Sequence, residues 1–235
     1  MKSFNNLKQD LKKVSEPDRI ADYQRFFKTK PGEYGENDLF IGVRVPAQRK
    51  VAKDYYHLSL QEIQELLNSK IHEHRLTALI ILNYKFKKAS EVDRNKIYKL
   101  YLKNINNINN WDLVDSSAHF VVGEYLRDKS REPLYKLAKS KDLWEKRIAI
   151  ISTFKFIQHD DFDDSLKLAE ILLQDEHDLI HKAVGWMLRE VGNRDKKVEE
   201  KFLRKHYKKM PRTMLRYAIE KFPKNERDKY LKGII

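Results

Sequence analysis

The chain has 235 residues, a formal charge of +13 from 48 Lys and Arg against 35 Asp and Glu, 41% hydrophobic residues and no cysteine. The hydrophobic share suffices for folding and argues against disorder, while the missing thiols exclude disulfides, thiolate zinc sites, iron–sulfur clusters and a cysteine nucleophile. Seven Gly and six Pro suit helices better than turn-rich sheets, and the positive surplus points to a polyanion, of which nucleic acid is the commonest.

Met1 to Lys13 lack an apolar leader core, and no run approaches a membrane span. A soluble, cytoplasmic protein with no membrane partner is expected. In chain order, Asn6 to Phe27 read as one or two short helices, with Leu7, Leu11 and Val14 on one face. Pro17 suits the first turn of the next helix, continued by Ile20, Tyr23, Phe26 and Phe27. Lys28 to Asp38 is a loop carrying Pro31, Gly32 and Gly35. It is not a phosphate cradle, because no strand precedes it and no Gly-Lys-Ser/Thr follows. Phe40 to Val45 is short and apolar and leads into a helix from Pro46 to about Tyr55.

From Ser59 the pattern repeats as helix pairs. Ser59 to Leu67 opens with a capping Ser and Glu62 three residues on, and pairs with Glu73 to Tyr84. His72 and His74 flank the turn between them and read as solvated. The later pairs are Asp93 to Tyr101 with Asp112 to Leu126, Pro133 to Ala138 with Leu143 to Phe156, Phe162 to Leu173 with Asp178 to Glu190, and Lys196 to Tyr207 with Pro211 to Phe222. In the second pair Val114, Ala118, Val121, Val122 and Tyr125 recur at helical steps and form one apolar stripe. Asn110 or Asp112 is the expected N-cap. Trp111 and Asp115, four apart, sit one above the other beside that stripe, so an indole and a carboxylate share one exposed patch.

The second helix of each pair carries an alanine: Ala78, Ala118, Ala149, Ala183 and Ala218, spaced by subtraction at 40, 31, 34 and 35 residues. Small residues let helices approach closely, and helix pairs at such periods mark stacked repeats. The expected fold is all-α: a right-handed α-solenoid of HEAT-like helical repeats with a concave basic groove, forming one domain over 1–235. Trp111, Arg147 and Trp186 are expected on one concave wall.

Four motifs carry a family resemblance. Asn110-Trp111-Asp112-Leu113-Val114-Asp115-Ser116, Trp144-Glu145-Lys146-Arg147-Ile148-Ala149-Ile150, Lys182-Ala183-Val184-Gly185-Trp186-Met187-Leu188-Arg189-Glu190 and Gly42-Val43-Arg44-Val45-Pro46-Ala47-Gln48-Arg49 resemble the AlkD-like DNA glycosylases, which are HEAT-like-repeat DNA alkylation repair proteins. The resemblance covers nearly the whole chain in the same order. It implies removal of N3- and N7-alkylated purines from duplex DNA. By that analogy Asp115 is the catalytic aspartate, Trp111 and Trp186 hold the backbone and sugar of the damaged nucleotide, and Arg147 belongs to the DNA-facing site. Tyr23 matches a tyrosine of the N-terminal helical region. Lys182 and Arg49, which lie within the matching motifs, are expected to contact DNA. A monomer needing no cofactor, no metal and no obligate protein partner is expected.

The chemistry agrees with this reading. A cationic alkylpurine leaves without being protonated, so a general acid is dispensable. Positive charge then grows on the sugar, and a nearby carboxylate stabilises it and orients water. Tryptophan faces attract positively polarised C–H groups, and an arginine holds phosphate bidentately.

Other readings carry less. His177 and His181 have the spacing of a zinc-binding helix, but Asp178 stands where glutamate is expected. They read as a helix start capped by Asp178. Trp144 reads as packing, and Lys87, Lys88, Lys205, Lys208 and Lys209 as mostly solvated face. The serious alternative is a non-catalytic repeat protein that binds damaged or branched DNA, since fold does not fix function. Asp115 speaks against it, because a pure binder has no use for a carboxylate that repels phosphate. Alkyl transfer to a cysteine is excluded.

Overall fold

In the computed structural model, which describes residues 3–235, each of two units packs shorter helices around one long one. The leader reading of Met1 to Lys13 and the domain span from residue 1 begin outside the described residues. Among the described residues the only β-pairing is an isolated parallel bridge between Leu39 and Ile71, and no helix is long and apolar enough to cross a membrane. The chain divides into two compact units, one running to Val121 and the other spanning Val122–Ile235.

The first unit contains α1 (Phe4–Lys13), α2 (Ile20–Phe26), α3 (Val45–Asp54), α4 (Leu60–Leu67), α5 (His72–Lys88), α6 (Glu91–Lys103) and α7 (Trp111–Asp115). Ser3 caps α1 in a reciprocal box with Asn6, which turns Leu7 and Leu11 inward; Val14 falls beyond the helix and is 40% exposed. Ser59 and Glu62 form the expected capping box of α4. α3 begins at Val45 with Pro46 in its first turn, where a missing N–H costs nothing. At the centre lies α5, packed against α3, α4, α6 and α7 and buried on every side from His72 to Leu82.

The helix expected from Asp112 to Leu126 is interrupted. α7 ends at Asp115, and a π-helical segment, His119–Gly123, follows before α8 (Glu124–Leu126). The physical cause is a pair of serines. Ser116 Oγ donates to the Asp112 carbonyl at 2.6 Å and Ser117 Oγ to the Leu113 carbonyl at 2.5 Å, and hydroxyls bonding four residues back bend or break helices.

The second unit continues with α9 (Glu132–Ala138), α10 (Leu143–Ser152), α11 (Phe154–Ile157), α12 (Asp163–Ile171), α13 (Asp178–Arg194), α14 (Lys196–His206), α15 (Arg212–Ala218) and α16 (Lys224–Lys232). The expected helix from Leu143 to Phe156 is likewise split at Thr153, beside two hydroxyls that bond to the Ile148 and Ile150 carbonyls. α13 is the hub, packed against α10, α12, α14 and α15. Gly185 allows the close approach of α15: a Cβ there would lie 2.5 Å from the Met214 carbonyl oxygen. All five repeat alanines, from Ala78 to Ala218, are fully buried. α16 was not foreseen, because Tyr230 is its only buried residue.

Candidate active site

Four residues at the start of α5, His72, Glu73, His74 and Arg75, are buried although all are polar. The reading of His72 and His74 as solvated is therefore corrected. Burying such groups is tolerable only with partners, and the partners of His72, Glu73 and Arg75 shape the site. His72 is hydrogen-bonded through Nδ1 to Asp38 Oδ2 at 2.9 Å and through Nε2 to Asp112 Oδ2 at 2.8 Å. Arg75 Nη2 donates to Asp38 Oδ1 at 2.7 Å and to Asn109 Oδ1 at 3.2 Å. Two cations on one helix turn thus grip Asp38, Asn109 and Asp112, and through the last two the N-terminal turn of α7. Burial alone would favour a neutral His72 ring. The charge and hydrogen bond of Asp112, helped by Asp38, outweigh it and push the ring up to about 9. Burial would raise the Asp38 carboxyl, but the His72 and Arg75 contacts hold it below the usual range.

Glu73 faces the other way. Its carboxylate accepts from the backbone N–H groups of Ile41 at 3.1 Å, Gly42 at 2.8 Å and Val43 at 3.2 Å. Gly42 sits at φ 78°, and a Cβ there would lie 2.2 Å from the Glu16 carbonyl oxygen, so only glycine fits. Buried Gln48 then donates to the Val43 carbonyl at 2.8 Å. These contacts account for much of the Gly42–Arg49 motif.

Between these supports opens a pocket of about 430 Å³, lined among others by Tyr23, Phe26, Phe27, Arg49, Trp111 and Asp115. Asn110 caps α7, its Oδ1 accepting from Trp111 N at 2.8 Å, as foreseen for one of two candidates. Trp111 stacks on Phe27 at 5.4 Å with an interplanar angle of 23° and meets Phe26 edge-on at 5.5 Å. Phe27 in turn stacks on Phe40 at 5.2 Å. Tyr23 places its edge against both Phe27 and Phe40, and burial pushes its phenol up. Aromatic pairs of this kind contribute about 0.5–1.5 kcal/mol each beyond area burial. Asp115 is half-buried at the end of α7, and its charge adds to the burial that pushes the Tyr101 phenol up. Arg49 is exposed.

Tyr23, Arg49, Trp111 and Asp115 are therefore brought together around one pocket of the first unit. Arg147, Lys182 and Trp186 belong to the second. Arg147 is only 4% exposed and donates through Nη1 to the Leu179 carbonyl in the first turn of α13, where an open phosphate clamp was expected. Lys182 pairs with Asp178 at 2.7 Å. Trp186 is half-buried, with Nε1 donating to Glu190 Oε1 at 2.9 Å and its ring tilted against Phe154. Trp144 is buried, as expected. The cap of α13 is His177 rather than Asp178, its Nδ1 accepting from Leu179 N at 3.1 Å, while His181 bonds to the Asp175 carbonyl. Among the described residues no three His, Asp or Glu side chains are grouped to hold a metal ion.

Sequence reasoning missed His72, Asp38 and the role of Asp112. The available signal was four polar residues directly before the apolar run Leu76–Leu82, a helix start that cannot be buried without partners.

An all-α chain of helix pairs, with a carboxylate and an indole at one aromatic pocket, carries a large positive charge of the kind that suits a polyanionic partner. The chain belongs to the DNA alkylation repair enzyme family, which it matches over residues 7–222. Its role is DNA alkylation repair, and DNA is its substrate. It shares its fold with a solved structure described as a predicted DNA alkylation repair enzyme from Enterococcus faecalis, with a TM-score of 0.69 and 17% identity over 89% of this chain and 97% of that one. The crystal structure of AlkD2 from Streptococcus mutans is also similar, with a TM-score of 0.54 and 16% identity over 88% of this chain and 98% of that one. No curated protein matches.

Proposed function

We propose that the protein is a monofunctional DNA glycosylase that excises positively charged N3- and N7-alkylated purines from duplex DNA, as a monomer and without a metal or other cofactor. The observation that carries this reading is the joint exposure of Asp115 and Trp111, four residues apart on one short helix, to a single aromatic pocket. The alkylated base carries its own positive charge and leaves as a neutral purine when the C1′–N bond breaks. Asp115 stabilises the positive charge that develops on the sugar. The oxygen of a water molecule then bonds to C1′, and its proton passes to the carboxylate or to solvent. Trp111 offers an aromatic face to the sugar. Arg49 and Tyr23 contact the strand beside it, and Trp186 and Lys182 are the DNA contacts of the second unit, while Arg147, buried against the Leu179 carbonyl, holds the first turn of α13.

The test is release of 7-methylguanine from methylated duplex by the wild-type protein and by Asp115→Asn, with and without EDTA. The expected result is release by wild type, indifference to EDTA, and a loss of about a hundredfold or more in the variant. No release by wild type, with duplex binding intact, would move the assignment to a non-catalytic DNA-binding protein.

A further inference from the structure

Phe26, the last residue of α2, is 61% exposed although its ring lines the pocket beside Asp115. Its neighbour Phe27 is 8% exposed and by itself supplies the stack beneath Trp111. Phe26 adds only an edge contact to Trp111 and another, at 5.1 Å, to Phe27. Neither the core nor the support of Trp111 accounts for a phenyl ring left in water. Val45, 37% exposed, lines the same pocket, so the apolar surface at this rim is more than a single residue.

The surroundings of the ring identify what would cover it. Arg25, with its side chain 83% exposed and paired with the exposed Asp22 at 3.1 Å, precedes Phe26. Lys28 and Lys30 follow it, and Arg49 lines the same pocket; all three are exposed. A flat apolar ring flanked by cations matches a nucleobase carried between phosphates. Single bases stack on such platforms whatever their identity, and apolar side chains wedged at a base step unstack it.

We propose that Phe26 is a substrate-contacting residue that stacks on a nucleobase at the damaged step of the duplex and holds it while the lesion lies against Asp115. This rests on the reading of the pocket as the lesion site.

The probe is a duplex with an abasic-site analogue and a neighbouring 2-aminopurine, whose fluorescence rises on unstacking. Wild type is expected to bind and raise the fluorescence. Phe26→Ala should bind about ten- to a hundredfold more weakly and lose most of the rise, and Phe26→Trp should keep both. Thermal stability should fall in Phe26→Ala only by the two edge contacts to Trp111 and Phe27, about 0.5–1.5 kcal/mol each, and should be restored in Phe26→Trp. Phe120→Ala, which removes a 50% exposed ring that does not line the pocket, should behave as wild type. Equal affinity and equal fluorescence for wild type and Phe26→Ala would overturn the proposal. Wild type that binds this duplex but releases no 7-methylguanine would overturn the glycosylase reading alone.

Discussion

Removing the Asp112 charge should flatten the dependence of stability on pH. His72 is held near 9 in the folded protein against an ordinary value of 6.5, so the folded state keeps a proton that the unfolded chain releases. Stability from this group is complete below about pH 6.5 and is lost as pH rises through 9. The loss is about 1.4 kcal/mol per pH unit, or on the order of 3 kcal/mol across that window. Glu199 works in the same direction. It is 1% exposed, and burial pushes its carboxyl up to about 9 from 4.5, so it too binds a proton on folding throughout that window. The comparison is therefore made in a Glu199→Gln background, which should itself remove about one proton from the slope. Asp112→Asn leaves an amide oxygen to accept from the His72 ring but takes away the main charge that raises it. Urea unfolding at half-unit steps from pH 6.5 to 9.5 reads the slope, and NMR titration of the His72 ring reads the proton directly. The expected result is a clearly smaller fall in unfolding free energy for Asp112→Asn, and a His72 midpoint moved toward neutral pH. Identical slopes and an unmoved midpoint would refute the reasoning.

Gly42→Ala should cost about 2 kcal/mol or more, since a Cβ at φ 78° would press on the Glu16 carbonyl oxygen; a Tm within a degree of wild type would contradict this. Asn110→Ala should cost about 1 kcal/mol from the lost cap of α7, measured by urea unfolding, and should lower the rate of base release by displacing Trp111. A variant that is destabilised but fully active would separate the cap from the site.

The local rules in this chain were readable and the long-range ones were not. Alternation of apolar and polar residues at helical steps located most helices, and the alanines at recurring positions are all buried because each is part of a helix that packs closely on another. Ser59 with Glu62, and Asn110, follow capping rules that need only a few neighbouring residues. His72 escaped because its partners lie 34 and 40 residues away: the polar run before Leu76 marks a helix start that needs partners, but it does not say which residues supply them. The breaks at Ser116–Ser117 and Ser152–Thr153 were missed because periodicity continues through them, while the hydroxyls compete for backbone carbonyls. At the site, the spacing of Trp111 and Asp115 was legible. The aromatic wall of Phe26, Phe27 and Phe40 was not, since it depends on how the loop before α3 folds back.

The three N–H groups gathered on Glu73 have a consequence for how DNA is held. Convergent backbone donors can form a receptacle for an anion such as phosphate, and here the three are occupied by a carboxylate from within the chain. A phosphate arriving at the floor of the pocket would have to evict a buried carboxylate whose own charge repels it. That would close the floor to the backbone of the nucleic acid and, on the proposed reading, leave attraction for phosphate to exposed cations at the margin such as Arg49. Under the proposed glycosylase reading, DNA would then lie across the opening, with only the sugar and base of the damaged nucleotide facing inward.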